Sequence, residues 1–165
     1  MSKLENLSSK ILDREQLRRA CVVWNFKNRK VVFTNGCFDI LHLGHIEYLA
    51  KAAELGDVLV IGMNSDLSVH RIKGDSRPIN DEHSRSMVLA SLEFVTAVVL
   101  FDEETPYELI KTIQPDILVK GRDYKIKEIV GHDIVLARGG KVKTIGLTPG
   151  YSTTGIEQKI LNLHK

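Results

Sequence analysis

The sequence contains few of the residues that mark special architectures. Its 165 residues include two cysteines and four prolines. The cysteines, Cys21 and Cys37, have no CxxC spacing, which excludes a disulfide framework and a cysteine-rich zinc site. No apolar run approaches the roughly 18 to 20 residues that span a bilayer, and the first ten residues lack the apolar core of a signal peptide. We therefore expect a cytoplasmic protein without membrane attachment.

A strong charge of either sign is also absent. Lys and Arg number 23 against 21 Asp and Glu, which gives a formal net charge of +2. This small excess gives no reason to expect a nucleic-acid partner, because nucleic-acid-binding domains concentrate positive charge. A site for a small anion must therefore be built from particular residues. With 43% apolar residues and no repeat, the chain predicts a single globular domain.

Short apolar runs alternate with segments of helical periodicity. Unbroken apolar runs indicate strands covered on both faces, as in a parallel sheet. The predicted strands are 31–34, 58–61, 97–100, 117–119 and 142–145, and the predicted helices are 42–55, 80–92, one opened by Thr105 as N-cap with Pro106 after it, and one from about Thr154 that buries Ile156, Ile160 and Leu163. This order predicts a Rossmann-like, doubly wound α/β fold, a parallel sheet of about five strands with helices on both faces.

Residues 1–28 precede this pattern and contain one amphipathic helix. Asp13 is its candidate N-cap, and Leu17, Cys21 and Trp24 share one face. No linker rich in Pro, Gly or Ser follows the segment. We interpret it as an N-terminal helical extension packed on the sheet, and residues 29–165 as the main domain.

Two histidines and a glycine follow the first predicted strand in a His-x-Gly-His pattern. His42, Gly44 and His45 fall at the start of a helix, where free backbone N–H groups and the helix dipole favour an anion. Imidazoles donate hydrogen bonds to phosphoryl oxygens, and a glycine lets the backbone approach closely, so the pattern suits a triphosphate. Two alternatives stay open. His42 caps the helix beside an exposed His45, or, less favoured without a third ligand nearby, the pair binds zinc.

Two further polar segments follow predicted strands. Residues 150–154 read Gly-Tyr-Ser-Thr-Thr and place three hydroxyl groups at a helix start, where they either cap the helix or hold phosphate. Residues 120–124 follow the strand 117–119. In a doubly wound fold the carboxyl ends of the strands meet at one crevice, and we expect all three segments to face it.

The segment Phe33-Thr-Asn-Gly-Cys-Phe-Asp-Ile-Leu-His-Leu-Gly-His45 resembles the signature of the HxGH nucleotidyltransferases, the cytidylyltransferase-like superfamily, and residues 152–154 resemble its second motif. Further stretches at 71–80, 120–124 and 128–131 make the chain similar, from about residue 13 to 163, to one branch of that superfamily. That branch makes ADP-heptose from D-glycero-β-D-manno-heptose 1-phosphate and ATP. The resemblance implies that residues 29–165 form a nucleotidyltransferase domain. It would transfer AMP to the heptose phosphate for lipopolysaccharide core synthesis, with Mg²⁺ held mainly by the substrate phosphates.

The resemblance also implies residue roles. His42, His45 and Lys73 would be the catalytic groups, with the histidines on the α-phosphoryl group and Lys73 closing over the phosphates from a flexible segment. The residues implied to bind the nucleotide or its phosphates are Thr34, Asn35, Gly36, Phe38, Gly44, Arg85, Gly121, Asp123, Ser152, Thr153 and Thr154. Those implied to bind the sugar phosphate are Cys37, Asp39 and Lys120. No protein ligand set for a metal is expected.

The chain departs from the branch at two positions, Leu43 in place of Pro and Arg122 in place of a small residue. Neither change removes a catalytic group. The sugar kinase domain that many members carry is missing, so a separate heptose kinase is expected to supply the sugar phosphate. A homodimer is expected from the family.

Two other functions stay open. The first keeps the reaction but changes the acceptor or the base, as in a glycerol 3-phosphate cytidylyltransferase or an FAD synthetase-like enzyme. Against it, Leu147 stands where cytidylyltransferases usually carry Arg. The second is a nucleotide-binding module without catalysis, which the retention of both histidines, Lys73 and Arg85 disfavours.

Overall fold

The computed structural model describes residues 2–121, 125–146 and 148–163. The strands in these ranges are β1 (Ile11–Leu12), β2 (Val31–Gly36), β3 (Val58–Asn64), β4 (Ala97–Phe101), β5 (Ile117–Gly121) and β6 (Lys141–Ile145). The helices are α1 (Lys3–Ser8), α2 (Arg14–Phe26), α3 (Leu43–Ala53), α4 (Asp66–Lys73), α5 (Glu82–Ser91), α6 (Tyr107–Ile113), α7 (His132–Ala137) and α8 (Thr153–Leu163), with a 3₁₀ turn at Ile126–Glu128. None of the helices found in these ranges has the length and apolar character needed to cross a membrane.

The strands form one parallel sheet with β2 near its centre. Their order is β1-β4-β3-β2-β5-β6, and each neighbouring pair is parallel. After β2 the chain adds β3 and β4 on one side, and then β5 and β6 on the other. The winding therefore reverses between β2 and β5. Open α/β sheets bind ligands at such a reversal, beyond the carboxyl ends of the strands.

Alternating side chains along the strands build a core on each face of the sheet. In β2, Val31 and Phe33 belong to one buried cluster and Val32 to the other. The first cluster includes residues of α2, α6 and α7, and the second includes residues of α3 and α5. Helices thus cover both faces, and the predicted Rossmann-like fold is confirmed.

The prediction of about five strands missed β1, which forms an edge of the sheet. Ile11 and Leu12 pair with Val98 and Val99 of β4, and the Lys10 carbonyl accepts a hydrogen bond from the Val98 amide at 2.8 Å. Two residues are too few to show a strand periodicity in the sequence. The N-terminal segment therefore adds to the same sheet, and a division of the chain at residue 28 stays a prediction.

The amphipathic helix predicted for the N-terminal segment is α2. Asp13 is its N-cap and accepts a hydrogen bond from the Gln16 amide at 2.7 Å, while the Gln16 side chain accepts one from the Asp13 amide at 2.9 Å. Leu17 and Cys21 are buried, and Trp24 packs against their cluster. The reciprocal cap fixes the start of the helix, and its apolar stripe faces the sheet.

Two of the helix predictions are wrong in detail. Pro106, rather than Thr105, occupies the N-cap of α6, and no side chain caps it. In α8 no residue is fully buried, and Ile160 and Leu163 are 49% and 82% exposed. Periodicity identified the side chains that share a face of α8, but it carries no information about whether the chain covers that face.

We predict that Leu17→Ala lowers the free energy of unfolding by about 3 kcal/mol, because it opens a cavity in a fully buried site. Val22→Ala on the same helix, where the side chain is 69% exposed, should change it by less than about 0.5 kcal/mol. Urea unfolding followed by circular dichroism measures both. Equal, small effects would show that α2 is not part of the core.

Candidate active site

A cavity of about 240 Å³ opens where the winding of the sheet reverses. Its walls come from the ends of β2 and β5, the loop after β2, and parts of α3, α4 and α8. The lining residues are Asn35, Gly36, Cys37, Phe38, Asp39, His45, Tyr48, Lys73, Lys120, Gly121 and Thr153. All of these except Tyr48 were predicted from the sequence as site residues. The cavity thus gathers side chains from each of the three polar segments that follow predicted strands.

His42 and His45 stack on each other at the start of α3. Their ring centroids are 3.9 Å apart, with 23° between the ring planes. His42 occupies the N-cap position, but its side chain makes no capping hydrogen bond. The Nδ1 atoms of both rings are buried and have no hydrogen-bond partner within the part of the chain that the structure describes. Buried polar atoms are nearly always paired in proteins, so this pair is better suited to meeting a ligand than to capping a helix.

Both rings are held in the neutral form at neutral pH. Burial lowers the pKa of His42. Burial, the adjacent His42 ring and the charge of Lys73 lower the pKa of His45 to about 4, although a hydrogen bond to the Ile40 backbone acts to raise it. A neutral imidazole keeps one N–H donor, so each ring can still donate to a phosphoryl oxygen. A bound anion would raise both pKa values again.

Because Gly44 has no side chain, the ring of His42 can lie against it. A Cβ atom at position 44 would lie 3.1 Å from Nδ1 and Cε1 of His42, and 3.4 Å from Cβ of Tyr151. A larger residue would therefore press on the ring. This explains why glycine suits the position. Direct contact of the Gly44 backbone with phosphate stays a prediction.

Phe38 contacts the ring of His45. The backbone of Phe38 has φ of 48°, in the left-handed region that bulky residues rarely adopt, and its side chain is buried. Its ring meets that of His45 edge-on, with centroids 5.4 Å apart and planes at 64°. A Cβ at Gly36 would lie 3.1 Å from the Phe38 ring. Phe38 therefore positions His45, and a contact with the nucleotide stays a prediction.

Two lysines bring positive charge to the cavity. Lys73 lines it as the last residue of α4, rather than from the flexible segment expected. Lys120, near the end of β5, donates to the Asn35 carbonyl at 3.3 Å, which holds it beside β2. Burial raises the pKa of Cys37, although both lysines lower it, so the Cys37 side chain is a thiol at neutral pH.

Thr34 and Asn35 differ in how they face the cavity. Thr34 is fully buried, and its Oγ1 lies 2.7 Å from the Tyr48 hydroxyl, so its side chain is engaged within the protein. Asn35 lines the cavity, and its Oδ1 has no hydrogen-bond partner among the described residues. Tyr48 follows His45 by three positions in α3. This spacing places both on one helix face and is the signal by which the sequence could have indicated Tyr48.

The hydroxyl side chains at the start of α8 have different surroundings. The Ser152 Oγ accepts a hydrogen bond from the Gly155 amide at 3.0 Å and so caps the helix. Thr153 lines the cavity, whereas Thr154 is exposed. The first amides of α8 thus begin at the cavity wall, where a helix N-terminus favours an anion. Phosphate contacts from Ser152 and Thr154 stay predictions.

The carboxylate of Asp39 is engaged by the protein itself. It accepts hydrogen bonds from Arg77 Nη1 at 2.7 Å, from the Ile79 amide at 2.9 and 3.0 Å, and from the Asn80 amide at 3.0 Å. Burial alone would raise the pKa of Asp39, but these hydrogen bonds lower it below its ordinary value. Its oxygens thus hold residues 77–80 in the free protein, and a contact of Asp39 with the sugar phosphate stays a prediction.

The guanidinium of Arg85 is engaged in the same way, and its side chain is fully buried. Nη1 donates to the carbonyls of Cys37 and Asn64 at 2.6 and 2.9 Å, Nε donates to the Asn80 carbonyl at 3.0 Å, and Nη2 donates to Asp66 at 2.6 Å. Nη1 and Nη2 therefore hold the loop after β2, the end of β3 and the start of α4, and Nε holds the segment before α5. These contacts give Arg85 a positioning role in the free protein, and its contact with the triphosphate stays a prediction.

The remaining predicted positions are Gly121 and Asp123. Gly121 lines the cavity at the end of β5. Asp123, Arg122 and Leu147 lie outside the residues that the structure describes. In the ranges 2–121, 125–146 and 148–163, no group of three or more His, Cys, Asp or Glu side chains is arranged to hold a metal ion.

The reversal of the sheet, the helix N-termini and the paired histidines define a nucleotide-binding α/β protein. Residues 33–159 match the cytidylyltransferase-like family, and the chain belongs to that family. The resemblance to the nucleotidyltransferases drawn from the sequence is thereby confirmed. The match includes the His-x-Gly-His segment and the start of α8.

Curated relatives of the chain carry the name bifunctional protein HldE. The chain is 53% identical over 151 residues to the protein of Wolinella succinogenes, covering 92% of this chain and 31% of the relative. It is 60% identical over 132 residues to that of Campylobacter concisus, covering 80% of this chain and 27% of the relative. The chain thus spans about a third of the length of the curated relatives it matches.

Solved structures agree with this placement. The lipopolysaccharide core biosynthesis protein from Thermoplasma volcanium matches with a TM-score of 0.59 and 35% identity, covering 73% of this chain and 97% of that one. The pantoate-beta-alanine ligase from Francisella tularensis, solved with beta-gamma ATP and beta-alanine, matches with a TM-score of 0.59 and 19% identity over 94% of this chain and 79% of that one. The second likeness shows the fold alone.

The lowered pKa of His45 predicts a pH dependence of stability. The pKa is about 4 in the folded protein against about 6.5 in an unfolded chain, so the unfolded state binds the proton first. The stability that this neutral ring contributes is complete above pH 6.5 and is lost as the pH falls from 6.5 towards 4. We predict that His45→Gln flattens the fall of unfolding free energy in this window. An unchanged slope in urea unfolding curves would contradict it.

The buried hydrogen bonds of Arg85, which we call its clamp, predict that a substitution of Arg85 lowers the stability of the protein without nucleotide. Arg85→Lys should lower the unfolding free energy by about 3 kcal/mol, because buried carbonyls lose their donor. Arg71→Lys, at an exposed position of α4, is the matched control and should change it by less than about 0.5 kcal/mol. If Arg85→Lys keeps full stability but abolishes ATP binding, a phosphate contact would replace the clamp as its role.

Proposed function

We propose that the protein transfers the adenylyl group of ATP to D-glycero-β-D-manno-heptose 1-phosphate, giving ADP-heptose and pyrophosphate. The observation that carries this proposal is the stacked pair of neutral histidines, of which His45 lines the cavity, each with a buried Nδ1 that has no partner among the described residues. Such a pair suits a phosphoryl group that gains charge during a reaction. The family to which the chain belongs supports nucleotidyl transfer as that reaction.

The chemistry requires charge stabilisation and no covalent intermediate. An oxygen of the sugar phosphate forms a bond to the α-phosphorus of ATP as the bond from that phosphorus to the β-bridging oxygen breaks. Pyrophosphate leaves with the electron pair of the broken bond. Negative charge therefore builds on the α-phosphoryl oxygens and the leaving group, where preorganised donors lower the barrier.

The residues around the cavity divide this work among them. His42 and His45 donate to the α-phosphoryl group, and Lys73 neutralises the leaving pyrophosphate from the end of α4. The N-terminus of α8 with Thr153 holds the β- and γ-phosphates. Lys120 and Cys37 lie on the side of the cavity formed by β5 and β2, which we assign to the sugar phosphate.

Magnesium fits this site as a partner of the nucleotide. The bound ion would neutralise phosphate charge, which lowers the barrier to transfer. Mg²⁺ takes oxygen ligands and keeps several waters, so it needs few protein groups. The Oδ1 of Asn35, which has no partner in the part of the chain that the structure describes, is a side-chain oxygen at the cavity that suits it.

The identity of the acceptor is supported by the relatives. One similar structure is named a lipopolysaccharide core biosynthesis protein, and the curated relatives are named bifunctional. We assign to this chain the adenylyl-transfer half of such a pair of activities, with the heptose phosphate supplied by a sugar kinase activity. A homodimer and a location in the cytoplasm, where ATP is at hand, belong to the same proposal.

The test is pyrophosphate release with Mg²⁺ and the heptose 1-phosphate, run in parallel with ATP, CTP, GTP and UTP. Release with ATP and not with the other three is the expected result. Release with CTP, or with ATP only when another phosphorylated acceptor replaces the heptose, would move the protein to a sister reaction. Binding of ATP without release for any acceptor would indicate a nucleotide-binding module and contradict the proposal.

We predict that His42→Ala or His45→Ala lowers kcat by about 10²-fold or more, because each removes a donor that acts on charge developing in the transition state. The matched control is His83→Ala, which removes an exposed histidine of α5. It should leave kcat within about twofold. Near-normal turnover in either site variant would remove the histidines from the mechanism.

A further inference from the structure

Arg77 joins three segments around the cavity. Its Nη1 donates to the buried carboxylate of Asp39 in the loop after β2, at 2.7 Å. Its Nη2 forms an ion pair with Glu157 of α8. The Arg77 side chain is 11% exposed, and that of Glu157 is 30% exposed, so both contacts are largely removed from water. A forked guanidinium can hold two carboxylates at once in a fixed geometry, which a lysine cannot.

The position of helix α8 depends more on polar contacts than on buried apolar side chains. No residue of α8 is fully buried, and Ile160 and Leu161 on it are about half exposed. Apolar packing, which fixes most helices in place, therefore contributes little to its position. An ion pair that ties its first turns to Arg77 carries correspondingly more of that task.

The spacing along the chain connects this ion pair to the cavity. Arg77 follows Lys73 by four residues, and Glu157 follows Thr153 by four residues, about one turn of α8. Lys73 and Thr153 both line the cavity. Arg77 pairs with Glu157, and its amide donates to the carbonyl of Gly74, directly after Lys73, at 3.1 Å. We propose that Arg77 is a positioning residue, which through Asp39 and Glu157 holds the N-terminus of α8 and the lysine of α4 at a fixed separation across the triphosphate. This inference rests on the proposed function.

The three side chains of Asp39, Arg77 and Glu157 form this latch, and hydrogen bonds lower the pKa of Asp39. The hydrogen bond to Asp39 and the nearby Glu157 raise the pKa of Arg77. The latch is therefore closed in the free protein, and α8 is placed before the nucleotide arrives. Preorganisation of this kind strengthens binding because less ordering remains to be done when the ligand binds.

The test uses Glu157→Gln, which keeps the size of the side chain and removes its charge. Its matched control is Glu103→Gln, which breaks the ion pair of Glu103 with Arg14 at the far edge of the sheet. In the unliganded protein, amide hydrogen exchange of residues 153–163 should become about tenfold faster in Glu157→Gln and stay unchanged in the control. In turnover, KM for ATP should rise about fivefold with kcat changed less than twofold, because α8 binds the phosphates in the ground state and the transition state alike.

Arg77→Ala leaves the Asp39 carboxylate buried without its partner, and the loss of stability can prevent that variant from folding. Arg77→Lys, which keeps a charge beside Asp39 but loses the fork, replaces it and should reproduce the change in exchange and KM. Unchanged exchange across 153–163 in Glu157→Gln would overturn the latch. A wild-type protein that releases no pyrophosphate would instead overturn the proposed function, and the exchange measurement on the free protein would still decide the latch.

Discussion

The site depends on two buried charged side chains that hold the loop after β2. Asp39 lies in that loop and gathers the amides of residues 79 and 80, and Arg85 reaches the same loop from α5 through the Cys37 carbonyl. A buried charge is tolerated only when hydrogen bonds replace the water it has lost, so each side chain enforces one arrangement of its partners. The histidines, the cavity and the approach of α8 all follow from that arrangement. Charged residues at this site thus serve the architecture as well as the chemistry.

The two histidines show how the fold can prepare a site for an anion. Burial lowers the pKa of both rings, and the adjacent His42 ring lowers that of His45 further, so the free protein carries no pair of repelling imidazolium ions here. A phosphate supplies the negative charge that the rings lack, and it meets N–H donors already held in place by Phe38 and by the start of α3. Donors that need no reorganisation during the reaction stabilise the transition state most effectively.

Much of the architecture could be predicted from the sequence, because buried parallel strands and capped helices have clear local signatures. The central strands and the helix capped by Asp13 are examples. The edge strand β1 was missed because two residues show no periodicity. The exposed face of α8 was missed because local pattern does not reveal what lies opposite a helix.

The candidate site, like the fold, could be predicted only in part. The cavity-lining segments were predicted because motifs at strand ends converge in a doubly wound sheet. The partners of Asp39 were not predicted, because they lie 38 to 41 positions away in the chain. Those of Arg85, other than the nearby Asn80, lie 19 to 48 positions away and were not predicted for the same reason. A motif gives the identity of a charged residue, but only the fold decides whether it faces the ligand or another part of the protein.

The most direct test of this account is a crystal structure of the protein with a non-hydrolysable ATP analogue. The account predicts the triphosphate in the cavity between β2 and β5, with its oxygens within hydrogen-bonding distance of His42, His45 and the first amides of α8, and with Arg85 still bound to the carbonyls of Cys37 and Asn64. Phosphates bound away from the histidines, or Arg85 withdrawn from those carbonyls to reach them, would contradict it.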